Sequence, residues 1–304
     1  MSVATHELLV GVALDLVCGD PQWLPHPVRA IGLCADVAER FWRASRLPVR
    51  VSGGLFFATV LAATVSVVRI APRWLAAYWI YSFLACRDLD RHAQRVLVAL
   101  ETGDLVEARR RLSWIVGRDT AHLQEPEIMR AVVETVAENL SDGVIAPLLY
   151  LAIGGPVGMA AYKAINTLDS IVGHRNERYR DFGLASAKMD DLANFVPARL
   201  SALLVWCAAA FVPGLSGLRA LRVTLRDGGG QPSPNAGFPE AAVAGALGVQ
   251  LGGLNFYGGM PCRKATLGDP MAKLDRGVYT RLRIVLYVAE LIFVAVICQG
   301  RRRQ

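Results

Sequence analysis

Long apolar runs alternate with polar connecting segments along this chain. The run 51–71 contains one charged residue, Arg69, close to its end. About 20 such residues suffice to cross the hydrocarbon core of a bilayer as a helix. Further candidate membrane segments are 74–86, 144–162, 200–218 and 284–299, with the shorter stretches 7–18 and 238–254 as additional candidates. The pattern predicts an all-α, polytopic integral membrane helical bundle with cytoplasmic helical segments, forming a single membrane-embedded domain over 1–304.

Composition agrees with this fold class and narrows the function. The 304 residues are 53% hydrophobic and 19% charged, whereas soluble domains carry about 25% charged residues. No basic region precedes the first apolar stretch, so we predict no cleavable signal peptide. The net charge of +7 suits membrane lipids or anionic ligands, and we predict no nucleic-acid partner because no recognised binding motif accompanies it. The cysteines and histidines lack the paired spacing of a zinc site.

Three carboxylates share one predicted helix face. Glu134, Glu138 and Asp142 are spaced i, i+4 and i+8, and a helix brings such positions together. Like charges at this spacing repel each other. Arg130, four residues before Glu134, offers that residue an ordinary ion pair, but no Lys or Arg stands at the corresponding position for the other two. Magnesium, which prefers carboxylate oxygens, would balance the charge.

A second polar face follows the apolar stretch 144–162. Lys163, Asn166 and Asp169 fall on one side of a predicted helix. A lysine there suits a phosphate group. The alternative is a lysine at a helix end that extends to the membrane interface, which leaves the neighbouring polar residues unexplained.

A third group consists of adjacent carboxylates with an amide one turn later. Asp190, Asp191 and Asn194 resemble the oxygen ligands of a hard cation. A helix N-cap formed by one aspartate is the ordinary alternative.

Two loops carry weaker signals. Asp20, His26 and Arg29 lie in a proline-rich turn, where the arginine would suit a carboxylate or phosphate. Ser233 and Asn235 precede a predicted helix start, and backbone N–H groups at such a start bind anions. The sequence contains neither a Gly-x-x-x-x-Gly-Lys-Ser/Thr loop nor a Gly-x-Gly-x-x-Gly fingerprint, so any use of ATP would need another phosphate site.

Together these blocks resemble the adenosylcobinamide-phosphate synthase family (cobalamin biosynthesis protein CobD/CbiB), integral membrane enzymes of the cobalamin pathway. The similarity extends from about residue 10 to about residue 280, and one departure is His174, where an aromatic residue is expected. The matching blocks, in chain order, are Leu14-Asp15, Gly19-Asp-Pro, His26-Pro-Val-Arg, Val116-Gly-Arg-Asp-Thr120, Glu134-Thr-Val-Ala-Glu-Asn139, Ser141-Asp-Gly-Val-Ile-Ala-Pro147, Tyr162-Lys-Ala-Ile-Asn-Thr-Leu-Asp-Ser170, Asp190-Asp-Leu-Ala-Asn-Phe-Val-Pro-Ala-Arg199, Ser233-Pro-Asn-Ala-Gly237, Leu251-Gly-Gly253 and Tyr257-Gly258.

The resemblance implies an ATP-dependent amide ligase. Such an enzyme joins the propionate carboxylate of adenosylcobyric acid to (R)-1-aminopropan-2-ol O-phosphate, or a related aminoalcohol phosphate, with Mg²⁺ and ATP, and yields adenosylcobinamide phosphate. It also implies a multi-pass protein of the cell membrane whose active site faces the cytoplasm. The sequence identifies neither the aminoalcohol nor the oligomeric state.

Roles for individual residues follow from this resemblance. We expect Glu134 or His26 to act as the base, a choice that the sequence leaves open. The expected metal ligands are Glu138, Asp142, Asp190 and Asp191. The other expected catalytic residues are Lys163, Asn166 and Asp169, and the expected substrate or phosphate ligands are Asp20, Arg29, Asn139, Asn194, Arg199, Ser233 and Asn235.

The apolar stretch 144–162 raises a topological problem. A simple crossing there would put 163–199 and 87–143 on opposite faces of the membrane, although both carry chemistry expected to meet one cytoplasmic nucleotide. Gly154-Gly155-Pro156 interrupts the stretch, so we predict a re-entrant or broken helix. The alternative function is a membrane transporter with an intramembrane carboxylate site, because broken helices and buried acids are also transporter features.

Overall fold

The computed structural model describes residues 3–174 and 176–302, which are mostly helical. A 3-10 turn at Arg73–Leu75 and a π-helical turn at Ser141–Ile145 interrupt the α-helices. The elements are α1 (Thr5–Cys18), α2 (Pro27–Arg43), α3 (Val49–Ile70), α4 (Ala76–Phe83), α5 (Cys86–Glu101), α6 (Leu105–Leu112), α7 (Glu125–Leu140), α8 (Ala146–Val172), α9 (Leu184–Ala193), α10 (Phe195–Phe211), α11 (Gly217–Asp227), α12 (Gly237–Leu247), β1 (Leu251–Tyr257), β2 (Met260–Leu267) and α13 (Arg276–Arg302).

Several helices have the length and composition of membrane spans. In the described part of the chain these are Val49–Ile70, Glu125–Val172 and Arg276–Arg301, and a fourth is obtained if α9 and α10 form one broken span. The first and third confirm the predicted segments 51–71 and 284–299, and the second contains 144–162. The predicted class, a helical membrane bundle with broken helices, is therefore confirmed.

Three predicted segments are too short or end early. Segment 74–86 holds the 3-10 turn and the eight-residue α4, and 7–18 corresponds to the 14-residue α1. At 1.5 Å per residue neither helix reaches the roughly 30 Å of a hydrocarbon core. In segment 200–218 the helix α10 ends at Phe211, because the chain turns at Pro213 and at Gly214, whose φ is 80°, before α11 begins at Gly217.

The prediction of one buried helix over 238–254 is wrong in its second half. Helix α12 ends at Leu247, where Gly248 adopts a left-handed φ of 70°. The chain then forms β1, which pairs antiparallel with β2. The turn between the strands is Gly258-Gly259, both with positive φ, as tight hairpin turns require.

The described residues form two compact units, each with many internal contacts. The first unit contains the described residues of 3–85, 146–195 and 300–302, and the second contains 86–145 and 196–299. In the first unit α3 packs against α2, α8 and α9, and α4 packs against α1 and α8. The rings of Phe56 and Phe182 meet at 5.1 Å in its core. The prediction of a single domain stays a prediction, because two such units can belong to one domain.

In the second unit α7 is the central helix. It begins with Pro126 in its first turn, a favoured position, and it packs against α5, α6, α12 and β1. Ten of its 16 residues are buried, Glu134 among them. Helix α13 is joined to α5 through Asp90, which accepts hydrogen bonds from the hydroxyls of Tyr279 at 3.0 Å and Tyr287 at 2.9 Å.

The predicted break in the segment 144–162 is present. Gly155 has a φ of 62° and a ψ of −158°, so α8 consists of two helical parts joined at a kink. Pro156 follows directly and lacks the N–H that would continue the helical hydrogen bonding. The glycine and the proline together account for the break.

Helix α3 lies very close to the backbone at Phe182. We therefore predict that alanine substitutions at two neighbouring glycines of α3, Gly53 and Gly54, have different effects on stability. A Cβ on Gly53 would lie 1.9 Å from the Phe182 carbonyl oxygen, whereas a Cβ on Gly54 would meet nothing within 4 Å. We expect Gly53→Ala to destabilise the protein by about 1–3 kcal/mol, the usual cost of overpacking. Thermal unfolding of purified protein in detergent measures this change.

The matched control is Gly54→Ala, which we expect to leave stability unchanged or to raise it, since Ala is favoured over Gly inside a helix by about 1 kcal/mol. Equal melting temperatures for the two variants would contradict the packing described for α3.

Candidate functional site

A buried ion pair links three segments of the second unit. Arg118, in the loop before α7, donates through Nη2 to the Glu134 carboxylate and through Nη1 to Asn255 Oδ1 at 2.6 Å. The second Glu134 oxygen accepts from the N–H of Gly252 at 2.7 Å. Both carboxylate oxygens are therefore occupied, and the pair ties the loop and β1 to α7.

Two further side chains fix the hairpin. Arg130 donates to the carbonyls of Gly252 and of Leu254, the latter at 3.0 Å, and its Nε lies 3.9 Å from Glu134. Asp119 accepts from the N–H groups of Gly258 at 3.1 Å and Gly259 at 2.7 Å. Asp119 thus supplies acceptors for the two backbone N–H groups of the turn. This contact gives the aspartate of the Val116–Thr120 block a structural role.

Beside this pair lies a cluster that we call the Glu240 cluster, made of Glu138, Glu240 and Lys264. Glu240, in the first turn of α12, is 1% exposed. Burial and then the Glu138 carboxylate raise the pKa of Glu240 to about 8, although Lys264 acts in the opposite direction. Burial alone would lower the pKa of Lys264, but the Glu240 and Glu138 carboxylates outweigh it and the pKa is raised.

Arg118, Glu240 and Lys264 were absent from the residues expected from the sequence. Arg118 and Glu240 lie in or next to blocks noted there, the first in Val116-Gly-Arg-Asp-Thr120 and the second three residues after Gly237. Lys264 lies in none of them. It faces Glu240 only because β2 folds back along β1, and helical periodicity contains no signal for that arrangement.

Other expected residues of the second unit meet at the start of α12. Ser233 Oγ accepts from the N–H groups of Asn235 and Ala236 at 3.3 and 3.2 Å. Asn235 Oδ1 accepts from Arg199 Nη1 at 3.4 Å, and the Arg199 guanidinium stacks 4.1 Å from the centre of the Phe238 ring. The expected ligands Arg199, Ser233 and Asn235 are therefore neighbours.

The two remaining expected residues of this unit lie on α7 and just after it. Asn139 donates to the Thr135 carbonyl of its own helix at 3.0 Å. Asp142 is half-buried in the π-helical turn, a geometry that often marks functional sites.

In the first unit α8 and α9 bring an oxygen-rich set together. Asp190 accepts from Asn166 Nδ2 at 3.4 Å and from Asn194 Nδ2 at 3.0 Å. Asn194 is buried, and its Oδ1 accepts from the Tyr162 hydroxyl at 2.8 Å. The Asp169 and Asp191 carboxylates lie within electrostatic range of Asp190. Helical spacing had predicted that these residues share faces, and they form one group; Lys163 lies on α8 beside Tyr162.

The proline-rich turn of the first unit is held by its own residues. His26 Nε2 lies 3.1 Å from Asp20 Oδ1. Arg29 is exposed and donates to the carbonyls of Gln22 at 3.0 Å and Leu24 at 3.2 Å. These contacts give Arg29 a role in shaping the turn.

Comparison with known proteins gives one consistent result. A family model described as CobD/Cbib protein matches residues 8–285. The chain is 51% identical to cobalamin biosynthesis protein CobD of Geobacter metallireducens, over 97% of this chain and 96% of that protein. It is 44% identical to CobD of Pelobacter propionicus (95% and 93% covered) and 46% identical to cobalamin biosynthesis protein CbiB of Salmonella choleraesuis (95% and 94% covered).

No solved structure matches the chain, so the assignment rests on sequence. The match to the family model covers most of the chain, and the relatives are similar from end to end. The protein therefore belongs to the CobD/CbiB family and has a role in cobalamin biosynthesis.

Proposed function

We propose that this protein is an ATP-dependent amide ligase, an adenosylcobinamide-phosphate synthase. It joins the propionate carboxylate of adenosylcobyric acid to (R)-1-aminopropan-2-ol O-phosphate or a related aminoalcohol phosphate. Two observations support the proposal: membership of the CobD/CbiB family, and the set of carboxylate and amide oxygens around Asp190. Such a set suits the magnesium complex of a nucleotide, which this ligation requires.

The donor set fits magnesium on chemical grounds. Asp169, Asp190 and Asp191 offer carboxylate oxygens, and Asn166 and Asn194 orient Asp190 by donating to its two oxygens. Magnesium takes oxygen ligands and is bound by a few carboxylates together with substrate phosphates. We therefore assign Asp190, with Asp169 and Asp191, as the residues that would hold it. There it would neutralise charge on the ATP phosphates. For Asp142 the metal role expected from the sequence stays a prediction; for Glu138 it competes with a role beside Glu240 and Lys264.

We propose that the reaction proceeds in two steps, phosphorylation of the carboxylate and then attack by the amine. The substrate carboxylate oxygen attacks the γ-phosphorus of ATP, an O–P bond forms, and ADP leaves. The amine nitrogen then attacks the acyl carbon, a C–N bond forms, inorganic phosphate leaves, and the ammonium proton passes to a base. Lys163 would hold a phosphate or carboxylate group as a point charge, and Arg199 would hold one through its planar set of N–H donors.

Contacts argue against Glu134 as that base. Each of its two oxygens accepts a hydrogen bond, from Arg118 and from the Gly252 N–H, and the residue is only 2% exposed, so little of the carboxylate can reach a substrate. We place Glu134 as an anchor of the hairpin. His26 remains a candidate, with Asp20 at 3.1 Å to orient its ring.

We also propose the cell membrane as the location, with the active site facing the cytoplasm, where ATP is available. Membrane lipids and the corrinoid are the expected partners. A corrinoid is large and amphipathic, so a site at the membrane surface suits it.

Purified protein tests the proposal directly. With adenosylcobyric acid, aminoalcohol phosphate, Mg²⁺ and ATP, we expect the amide product by mass spectrometry, and with hydroxylamine in place of the amine we expect a corrinoid hydroxamate. ATP-independent uptake of a corrinoid into liposomes without amide formation would support a transporter instead. Product formation with no hydroxamate would contradict the acyl-phosphate step alone.

Asp190→Asn tests the assignment of the oxygen-rich set. Loss of one preorganised charge at a phosphoryl-transfer site typically reduces kcat on the order of a hundredfold, and we expect a higher Mg²⁺ requirement as well. Steady-state kinetics over a Mg²⁺ titration measure both. The control is Asp181→Asn, which removes a surface ion pair with Arg50 (2.8 Å) in the same unit; equal kinetics for the two variants would contradict the assignment.

The substitution Glu134→Gln distinguishes a structural role of Glu134 in holding the hairpin from a role as the base of the reaction. Removing one partner of a buried ion pair costs about 3–5 kcal/mol, so we expect a much lower melting temperature. Glu107→Gln, which breaks the exposed pairs with Arg110 and Arg111, serves as the control and should change little. A Glu134→Gln protein with the stability of wild type and no activity would restore Glu134 as the base.

A further inference from the structure

Glu240 is a buried carboxylate for which the described residues supply no hydrogen bond. It is 1% exposed, and neither of its oxygens has a hydrogen-bond partner among the residues described. Burying an ionisable group without hydrogen bonds costs several kcal/mol in folded proteins. A protein tolerates such a cost where a ligand supplies the missing partner, so Glu240 marks a site that its own neighbours leave incomplete.

The nearest charges define the two ends of this site. Glu138 and Lys264 are the neighbours that act most strongly on Glu240 after burial itself. Lys264 nevertheless forms no ion pair within 4.0 Å in the described chain. The Glu240 cluster therefore contains one ammonium and two carboxylates within electrostatic range of one another, but Lys264 makes no direct ion pair with either acid.

The other cations nearby are already engaged. Arg118 donates to Glu134 and Asn255, and Arg130 donates to two carbonyls of β1. Lys264 thus faces two carboxylates with one positive charge. Burial and then the Glu138 carboxylate raise the pKa of Glu240. The two carboxylates are therefore short of positive charge, which a bound cation would supply.

We propose that Glu138 and Glu240 bind the ammonium group of the aminoalcohol phosphate and that Lys264 binds its phosphate. The inference rests on the proposed function and locates the amine substrate of that reaction. A zwitterion satisfies both ends of the cluster at once, because its ammonium completes the carboxylates and its phosphate pairs with the lysine. A divalent cation would satisfy the carboxylates but be repelled by Lys264.

The same placement supplies a base. The bound ammonium has no lone pair, so it first gives one proton to Glu240. The neutral amine then attacks the acyl carbon of the acyl phosphate, the C–N bond forms, the C–O bond to the phosphate breaks, and the second proton leaves the nitrogen with the phosphate. Glu240, in contact with that nitrogen, accepts the first proton, whereas both oxygens of the buried Glu134 already accept hydrogen bonds from Arg118 and from the Gly252 N–H.

Two variants test the two ends. Glu240→Gln keeps the shape of the protonated acid, and Lys264→Gln removes the cation. A charged hydrogen bond contributes on the order of a ten- to a hundredfold change in binding. We expect each variant to raise the KM and Kd for 1-aminopropan-2-ol O-phosphate by that factor, with unchanged KM values for ATP and the corrinoid. The control is Glu107→Gln, outside the cluster, with wild-type constants expected.

Analogues identify which end each residue binds. Glu240→Gln should abolish the preference of wild type for the aminoalcohol phosphate over the same phosphate without its amine, measured by isothermal titration calorimetry. Lys264→Gln should abolish the preference over the amine without its phosphate. Unchanged preferences in both variants would overturn the inference, as would a raised Mg²⁺ requirement with an unchanged amine KM, which would make the cluster a metal site.

Folding and the overall reaction are checked separately. Size-exclusion chromatography and melting temperature report whether Glu240→Gln folds; if it does not, the Lys264→Gln analogue series decides. Binding of the aminoalcohol phosphate that depends on Glu240, in a protein that forms no amide, would overturn the proposed reaction and leave the site in place. Amide formation with binding that is insensitive to both substitutions would do the reverse.

Discussion

The ion pair between Arg118 and Glu134 is the interaction on which the second unit depends. It joins the loop before α7, the helix itself and the first strand of the hairpin, since Glu134 also accepts from the Gly252 N–H and Arg118 also donates to Asn255. Arg118, Glu134 and Asn255 are all buried. Each of them therefore needs the others to balance its charge or to complete its hydrogen bonds. This contact sets the position of β1 against α7 together with Arg130, which donates to the Gly252 and Leu254 carbonyls.

The position of β1 against α7 decides where the other polar groups lie. Asp119 holds the Gly258-Gly259 turn and Arg130 holds the carbonyls of β1, so the strands have little freedom to slide. Strand β2 then brings Lys264 towards the helix faces that carry Glu138 and Glu240. Groups that lie more than 100 residues apart in the chain, as Glu138 and Glu240 do, become electrostatic neighbours without any direct ion pair between Lys264 and the acids.

The parts of the fold that follow helical periodicity were predictable from the sequence. The long helices, the break at Gly155 and the position of Asn194 one turn after Asp190 all depend on spacing within a helix or on local residue types. The contact of Asn166 with Asp190 depends instead on the packing of α8 against α9, which spacing does not predict. The pairing of Glu134 was not predictable, since spacing offered Arg130, whereas the close partner, Arg118, lies in a loop. The hairpin was missed because its first strand continues an Ala- and Gly-rich stretch. The Gly-Gly turn was the available signal.

The break in α8 also constrains how deep this part of the chain lies in a bilayer. Ile153 is 75% exposed, and Gly154 is exposed beside it, so the backbone groups that the break releases from helical hydrogen bonding are close to the protein surface. Hydrocarbon cannot accept or donate hydrogen bonds, and irregular backbone that faces lipid is excluded from the bilayer core. The break therefore belongs at the level of the lipid headgroups or in a hydrated crevice. Gly155 thus excludes every position of α8 in which this part of the backbone faces hydrocarbon.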